Sequence, residues 1–288
     1  MTSTRKRIVV GVDDSEASRI AVRAACAEAI LHHCPLHIVH ADPFGEPTHS
    51  AAGPLPDVQG YGLVDALTRA REATARIAVT GEVARGFPEP VLIAMSRQAE
   101  LVVIGHRGLG ALARALFDTV GSEVTRRAGC PVLVARAPDL PDGPVVVGVD
   151  GSPDSQAAAE FAVVEAGMRG CAVHVMHVWS RPGPHAPGSV LPVDLDAESV
   201  QAGAERLLSE TMAGWGDAYP DVDIQHSLVH GHPRQVLTEA AASASLLVVG
   251  ARGRTTPPVP GLGSVSRHLL HHAACSLAVV PRHLPEGS

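Results

Sequence analysis

The chain is written twice. Residues 8–18, IVVGVDDSEAS, return at 145–155 as VVVGVDGSPDS. Aligning Asp13 with Asp150 sets an offset of 137 (150 minus 13), and it persists: Cys34 falls on Cys171, His37 on His174, His40 on His177. Further along, the offset is 145 (250 minus 105). There LVVIGHRG (101–108) meets LVVGARG (247–253), GFP (86–88) meets GHP (231–233), and CPVLVAR (130–136) meets CSLAVVPR (275–282). The second copy therefore carries about eight extra residues, lodged between positions 179 and 231. A period near 140 is far too long for a solenoid and marks a duplicated domain. The Pro/Asp/Gly joint APDLPDGP (137–144) divides the chain into expected domains 1–138 and 143–288.

Each copy alternates strand and helix signals. In the first, apolar runs at 8–12, 36–41, 77–84, 101–105 and 131–135 read as strands. Helical stretches lie near 15–32, 61–75, 88–99 and 119–129, and residues 42–60 read as a loop. Alternation of this kind implies right-handed crossovers and an α/β fold with a parallel sheet. Only 3% of residues are aromatic against 45% hydrophobic, so the core is aliphatic, as doubly covered parallel sheets are. The last strand of each copy, PVLVA and SLAVV, presents a bare apolar edge. These two edges are expected to pair within the chain.

A net charge of −7, with no basic block beyond TRKR at the start, argues against nucleic acid or an anionic membrane as partner. No signal-peptide pattern and no bilayer-length apolar stretch is present. The five cysteines form no CxxC pair. Together these features predict a cytoplasmic protein with reduced, buried thiols.

Two features carry candidate chemistry. The first is Gly11-Val12-Asp13 and its repeat Gly148-Val149-Asp150, at the end of the first strand of each copy. Ligands of open α/β sheets sit at the carboxyl ends of strands, where the strand order reverses. An Asp there can accept from hydroxyl or amino groups, or simply help to cap the next helix. The second is GARGRTTPPVPGLGS (250–264), between a buried strand and a helix. It fits G-x2-G-x9-G-S through Gly250, Gly253, Gly263 and Ser264. Such a segment can bring free helix amides to an anion, or be a glycine-rich turn with a serine cap. Its three prolines suggest either a stiff rim, with Thr255 or Thr256 near a bound anion as a lid, or a solvent loop touching nothing.

These motifs, VVVGVDGS near a domain start and VVGARG-x9-GSVS before AACSLAVVPR, resemble the universal stress protein family. The resemblance covers both copies. It implies two tandem Rossmann-like domains, each a five-stranded parallel sheet of order 3-2-1-4-5 with helices on both faces. It also implies ATP, with accompanying Mg2+, between strands 1 and 4. Gly148 and Asp150 would approach the adenosine, Val178 the adenine, and Gly250 and Gly253 the ribose and phosphates; Arg252, which matches Arg107, either reaches phosphate or pairs with a local carboxylate. Gly263, Ser264, Val265 and Ser266 would hold the phosphate chain. The matching positions of the first copy are Gly11, Asp13, Ala41, Gly105, Arg107, Gly108, Thr119 and Val120. The resemblance implies a stress or dormancy regulator with at most slow hydrolysis, no catalytic residue and no protein-only metal site. The domains would pair, and the chain could form a homodimer.

The first copy departs from the pattern. Asp118 occupies the place of Gly263, Thr119 that of Ser264 and Gly121 that of Ser266. A carboxylate about 4 Å from a phosphate charge is repelled by about 4 kcal/mol at an effective dielectric of 20. An alternative alignment uses Gly121-Ser122 as the phosphate pair and shortens the last helix. Two other classes stand beside the nucleotide-binding regulator. One is a scaffold of the same fold that binds no nucleotide. The other is an ATP-pyrophosphatase-like enzyme, suggested only by DGSPDS (150–155). His268, His271 and His272 share helical spacing without a further ligand to complete a metal site, and HGHP (230–233) reads as a strand-to-helix turn.

Overall fold

The computed structural model describes residues 6–44, 48–50, 61–74, 76–106, 120–136, 142–180, 197–254 and 261–282. In the first copy the elements run β1 (Arg7–Val12), α1 (Glu16–Leu31), β2 (Leu36–Asp42), β3 (Thr48–Ser50), α2 (Tyr61–Ala73), β4 (Val79–Arg85), α3 (Pro88–Ser96) and β5 (Ala99–Gly105). Helix α4 (120–127) and β6 (Val132–Ala135) complete it. The second copy runs β7 (Val145–Val149), α5 (Pro153–Arg169), β8 (Val173–Trp179), α6 (Ala197–Thr211), α7 (Trp215–Ala218), β9 (Ile224–His230), α8 (Pro233–Ala240), β10 (Leu246–Gly250), α9 (Ser264–His272) and β11 (Ser276–Val280).

Local chemistry explains most boundaries. Ser15 and Ser152 N-cap α1 and α5, their side chains accepting from the backbone of Ser18 and Ser155. Proline opens α3, α5 and α8, where its missing N–H costs nothing. Gly170 ends α5 in the left-handed region. The extra residues of the second copy sit between α6 and β9. Twelve residues (212–223) separate those elements, against five (74–78) between α2 and β4. They form the turn α7, whose Trp215 is buried in the core.

One sheet of eleven strands runs through the described residues, in the order β3-β4-β2-β1-β5-β6-β11-β10-β7-β8-β9. Within each copy this is the expected 3-2-1-4-5, and those pairs are parallel. The fifth strands meet antiparallel, Leu133 opposite Ala278, so each bare edge covers the other. The first copy has one strand more than expected: β3, inside the stretch read as a loop, pairs antiparallel with β4.

The core follows the same fusion. On one sheet face, a cluster built from β1, β7, α1, α2, α5 and α6 includes residues of both copies; on the other, so does the cluster under α3, α8 and α9. The interior is aliphatic, with Trp215 the one buried large aromatic among the described residues. None of the five cysteines forms a disulfide. Cys26, Cys130 and Cys275 are buried, and Cys34 and Cys171 are half-buried. Burial pushes the Cys130 thiol up to about 12. No helix among the described residues is long and apolar enough to cross a membrane.

Where α1 meets α5, the two copies share a buried charge cluster. Arg169 donates to Glu28 Oε1 (2.6 Å) and to Glu165 Oε2 (2.8 Å). The other oxygens face His32, whose Nε2 lies 2.8 Å from Glu165 Oε1 and 3.6 Å from Glu28 Oε2. Burial alone would lower the His32 pKa, but hydrogen bonds to Glu165 and Glu28 raise it to about 9. The same offset of 137 relates Glu28 to Glu165 and His32 to Arg169. Glu28, His32 and Glu165 bring ligand atoms within 4.8 Å of one another. Arg169 already supplies positive charge to both carboxylates there.

Candidate functional site

At the carboxyl end of the second copy's sheet, β7 and β10 are neighbours, and their connections leave toward opposite sides. A cleft of about 160 Å3 opens there, and all ten positions singled out in this copy line it. Gly148 and Asp150 come from the end of β7, and Val178 from the end of β8. Gly250, Arg252 and Gly253 come from the end of β10, and Gly263 to Ser266 from the opening of α9.

The loop after β7 is held by its own polar groups. Ser152 N–H donates to Asp150 Oδ1 (3.0 Å) and Arg254 N–H to Asp150 Oδ2 (3.2 Å). Asp150 thus ties the β7–α5 turn to the strand of chain entering the Pro-rich loop. Arg252 N–H donates to Asp154 Oδ2 (3.0 Å). Burial raises the Asp154 pKa, and this backbone bond and the Arg252 charge partly oppose that shift. Arg252 therefore stands beside a local carboxylate. Ser152, in the stretch that resembles a pyrophosphatase loop, is the α5 cap, and its hydroxyl donates to Arg252 O (3.3 Å).

The glycines divide by what surrounds them. A Cβ on Gly250 would come 2.7 Å from the backbone of Asp154, so this glycine lets α5 pack on β10. A Cβ on Gly148 would come 2.7 Å from Leu237 of α8. Gly105 and Gly11 repeat these contacts, with Ala17 and Leu92. Sequence reasoning assigned these residues to ligand approach, whereas packing already requires them. On Gly253, a Cβ would press on Asp150 Oδ2 at 2.6 Å. Among the described residues, Gly263 has no such neighbour closer than 3.5 Å.

One end of the cleft is a row of amides. Gly263 N–H is used by Ala251 O (2.9 Å), and Arg267 N–H returns to Gly263 O (3.0 Å). Between them, Ser264, Val265 and Ser266 are the first turn of α9, whose N–H groups have no acceptor within the helix. Among the described residues, no side chain caps them. The Ser264 side chain is exposed, whereas the Ser266 hydroxyl is buried and donates to Gly250 O (2.7 Å), bolting α9 to β10. The other end is apolar: Met176, Val178 and Leu237. Sequence reasoning missed Met176 and Leu237, although Leu237 matches Leu92 through the offset of 145. His40 and His177, noticed only as a repeat, each donate Nδ1–H to the carbonyl before the Asp, Val12 O (3.0 Å) and Val149 O (2.7 Å).

The first copy is arranged differently. Asp13 Oδ1 takes Ser15 N–H (3.0 Å), Ser18 Oγ (2.5 Å) and the Ser15 hydroxyl. Three donors on one oxygen commit it to the turn. Gly11, Ala41 and Gly105 end their strands as expected, and Val120 begins the described part of α4. Arg107, Gly108, Asp118 and Thr119 lie outside the described residues, as do Thr255 and Thr256. A larger depression of about 250 Å3 lies between α1 and α2. Its Asp65 is paired with Arg69 (2.8 Å) and Arg19 (3.9 Å), and of the expected first-copy positions it contains only Asp13.

A model of the universal stress protein family matches residues 4–136 and 143–281. Universal stress protein Rv2005c of Mycobacterium tuberculosis is 37% identical over 303 residues, covering 97% of this chain and 99% of the relative. A second protein of that organism, Rv1996, is 35% identical over 301 residues, covering 96% and 95%. Among solved structures, a universal stress protein from Archaeoglobus fulgidus superposes with a TM-score of 0.64 at 18% identity, covering 96% of each chain. With both halves matched and the relatives spanned nearly end to end, this chain belongs to the universal stress protein family, as a tandem two-domain member.

Proposed function

We propose that the protein binds one adenine nucleotide, ATP with its Mg2+, in the cleft of the second copy, and acts as a nucleotide-dependent regulator. One observation carries this reading: a single cleft joins an apolar wall to a helix start that no described side chain caps. Met176, Val178 and Leu237 suit a flat base, while the amides of Ser264, Val265 and Ser266 suit phosphate oxygens. Bound Mg2+ would neutralise part of the triphosphate charge. Asp150 spends an oxygen on each of two backbone donors. Its task is to hold the loop, which fits binding better than rapid hydrolysis.

Calorimetry of the full chain with ATP-Mg tests this. The expected result is close to one site per chain, with adenosine binding more weakly at the same site. Mass spectrometry of gently denatured protein should release co-purified nucleotide. Two equal ATP sites would show the first copy to be competent as well. No binding and no released nucleotide would leave the scaffold reading.

A further inference from the structure

We infer that Arg136, from the first copy, is a positioning residue for the phosphate cradle of the second; the inference rests on the nucleotide reading above. Arg136 follows β6 and is 5% exposed. Its guanidinium reaches across the junction to the far end of α9. Nη2 donates to Leu270 O (2.6 Å) and Leu269 O (3.2 Å), and Nη1 to Ala273 O (3.2 Å). Its backbone N–H donates to Ser276 Oγ (3.1 Å) at the start of β11. The buried guanidinium thus satisfies the Leu270 and Ala273 carbonyls, shares Leu269 O with the Ala273 N–H, and meets the negative end of the helix dipole.

Helix α9 has nine residues, so its ends are only about 14 Å apart. Its first turn supplies the cradle amides and its last turn is held by Arg136. The side chains of Leu269 and Leu270, whose carbonyls Arg136 holds, are fully buried. A helix this short has little stability of its own, and its position depends on what holds its ends. The grip also runs one way. The position matching Arg136 in the second copy is Pro281, which has no hydrogen-bond donor. The first copy therefore holds the anion helix of the second without the reciprocal contact from that position. Its contribution to nucleotide binding is to fix where the amides point, without touching ligand.

The test compares the full-length wild type with Arg136→Met, which keeps bulk and length, and Arg136→Lys, which keeps charge. ATP-Mg and adenosine affinities are measured by calorimetry. Arg136→Met is expected to lose roughly tenfold in ATP affinity while adenosine changes less than about twofold, with partial recovery in Arg136→Lys. Equal losses for both ligands, or none, in a folded variant would overturn the inference. A measurement without substitution guards against a variant that fails to fold. In wild-type hydrogen exchange, ATP-Mg should slow the amides of the last turn of α9, and adenosine should not. Identical protection by the two ligands would also overturn it. A wild type that binds no ATP at all would overturn the nucleotide reading and this inference together, whereas normal ATP binding with an unchanged ATP-to-adenosine ratio overturns only the role of Arg136.

Discussion

Gly250 and Gly263 belong to one motif and make opposite demands. Ala at 250 would place a Cβ 2.7 Å from the Asp154 carbonyl carbon and 2.8 Å from Ser155 N, both backbone atoms that cannot step aside. Gly250→Ala should cost about 1–3 kcal/mol, read as a lowered denaturant midpoint. Gly263 has room for a side chain and a φ of −59°. Gly263→Asp should therefore leave stability within a few tenths of a kcal/mol, because Asp is a good N-cap. The same carboxylate would occupy the anion position, and ATP affinity should fall at least about tenfold while adenosine affinity holds. A variant that keeps full ATP affinity would show that phosphates do not sit at the α9 terminus. The spacing of these glycines was legible in the sequence, but their separate reasons were not. What a missing Cβ accommodates depends on which backbone lies across from it, and α5 reaches Gly250 only through the fold.

At the scale of elements, the matched ends of α1 and α5 offer a comparison within one chain. Gly170 follows α5 at φ 65°, and its counterpart His33 follows α1 at φ 52°. A β-carbon is disfavoured there, so His33→Gly should raise stability by roughly 1 kcal/mol, measured as a shift in thermal midpoint. The neighbouring cluster sets a pH response. His32 is raised above its unfolded value of about 6.5, to about 9. Its contribution is fully present below pH 6.5 and is lost as the pH rises through 9, of order 3 kcal/mol in all. Burial would raise the Glu28 pKa, yet its bond to His32 and the charge of Arg169 leave it lowered. Its contribution is present above the ordinary carboxylate range and is lost on acidification. Urea denaturation from pH 6 to 10 should show stability falling at the alkaline end, and His32→Gln should flatten that limb. An unchanged slope in His32→Gln would remove His32 from the account. Helix and strand positions were readable because apolar periodicity and proline or serine caps are local. Strand β3 and the α7 turn were not. β3 is three residues in a Pro/Gly-rich stretch and exists through its pairing with β4. The turn carrying Trp215 is only four residues long.

For the whole molecule, duplication and the bare edges PVLVA and SLAVV were enough to predict that β6 and β11 would pair. The continuity of the core across that joint was not, since it depends on both copies burying residues on the same sheet faces. A fragment of residues 1–138 would expose β6 in full. It should associate with itself, as a dimer or larger species by light scattering, because no β11 covers its edge. A well-folded fragment that stays monomeric at high micromolar concentration would count against the joint as the organising contact. The charge cluster carries one more consequence. Were the two halves separate products of one gene, the positions of His32 and Arg169 would have to be the same amino acid. Two histidines or two arginines would then face the two glutamates. Joining the copies in one reading frame lets each side of the near-twofold axis mutate alone. The result combines a permanent cation with one that titrates, a mixture that a dimer of identical subunits cannot encode.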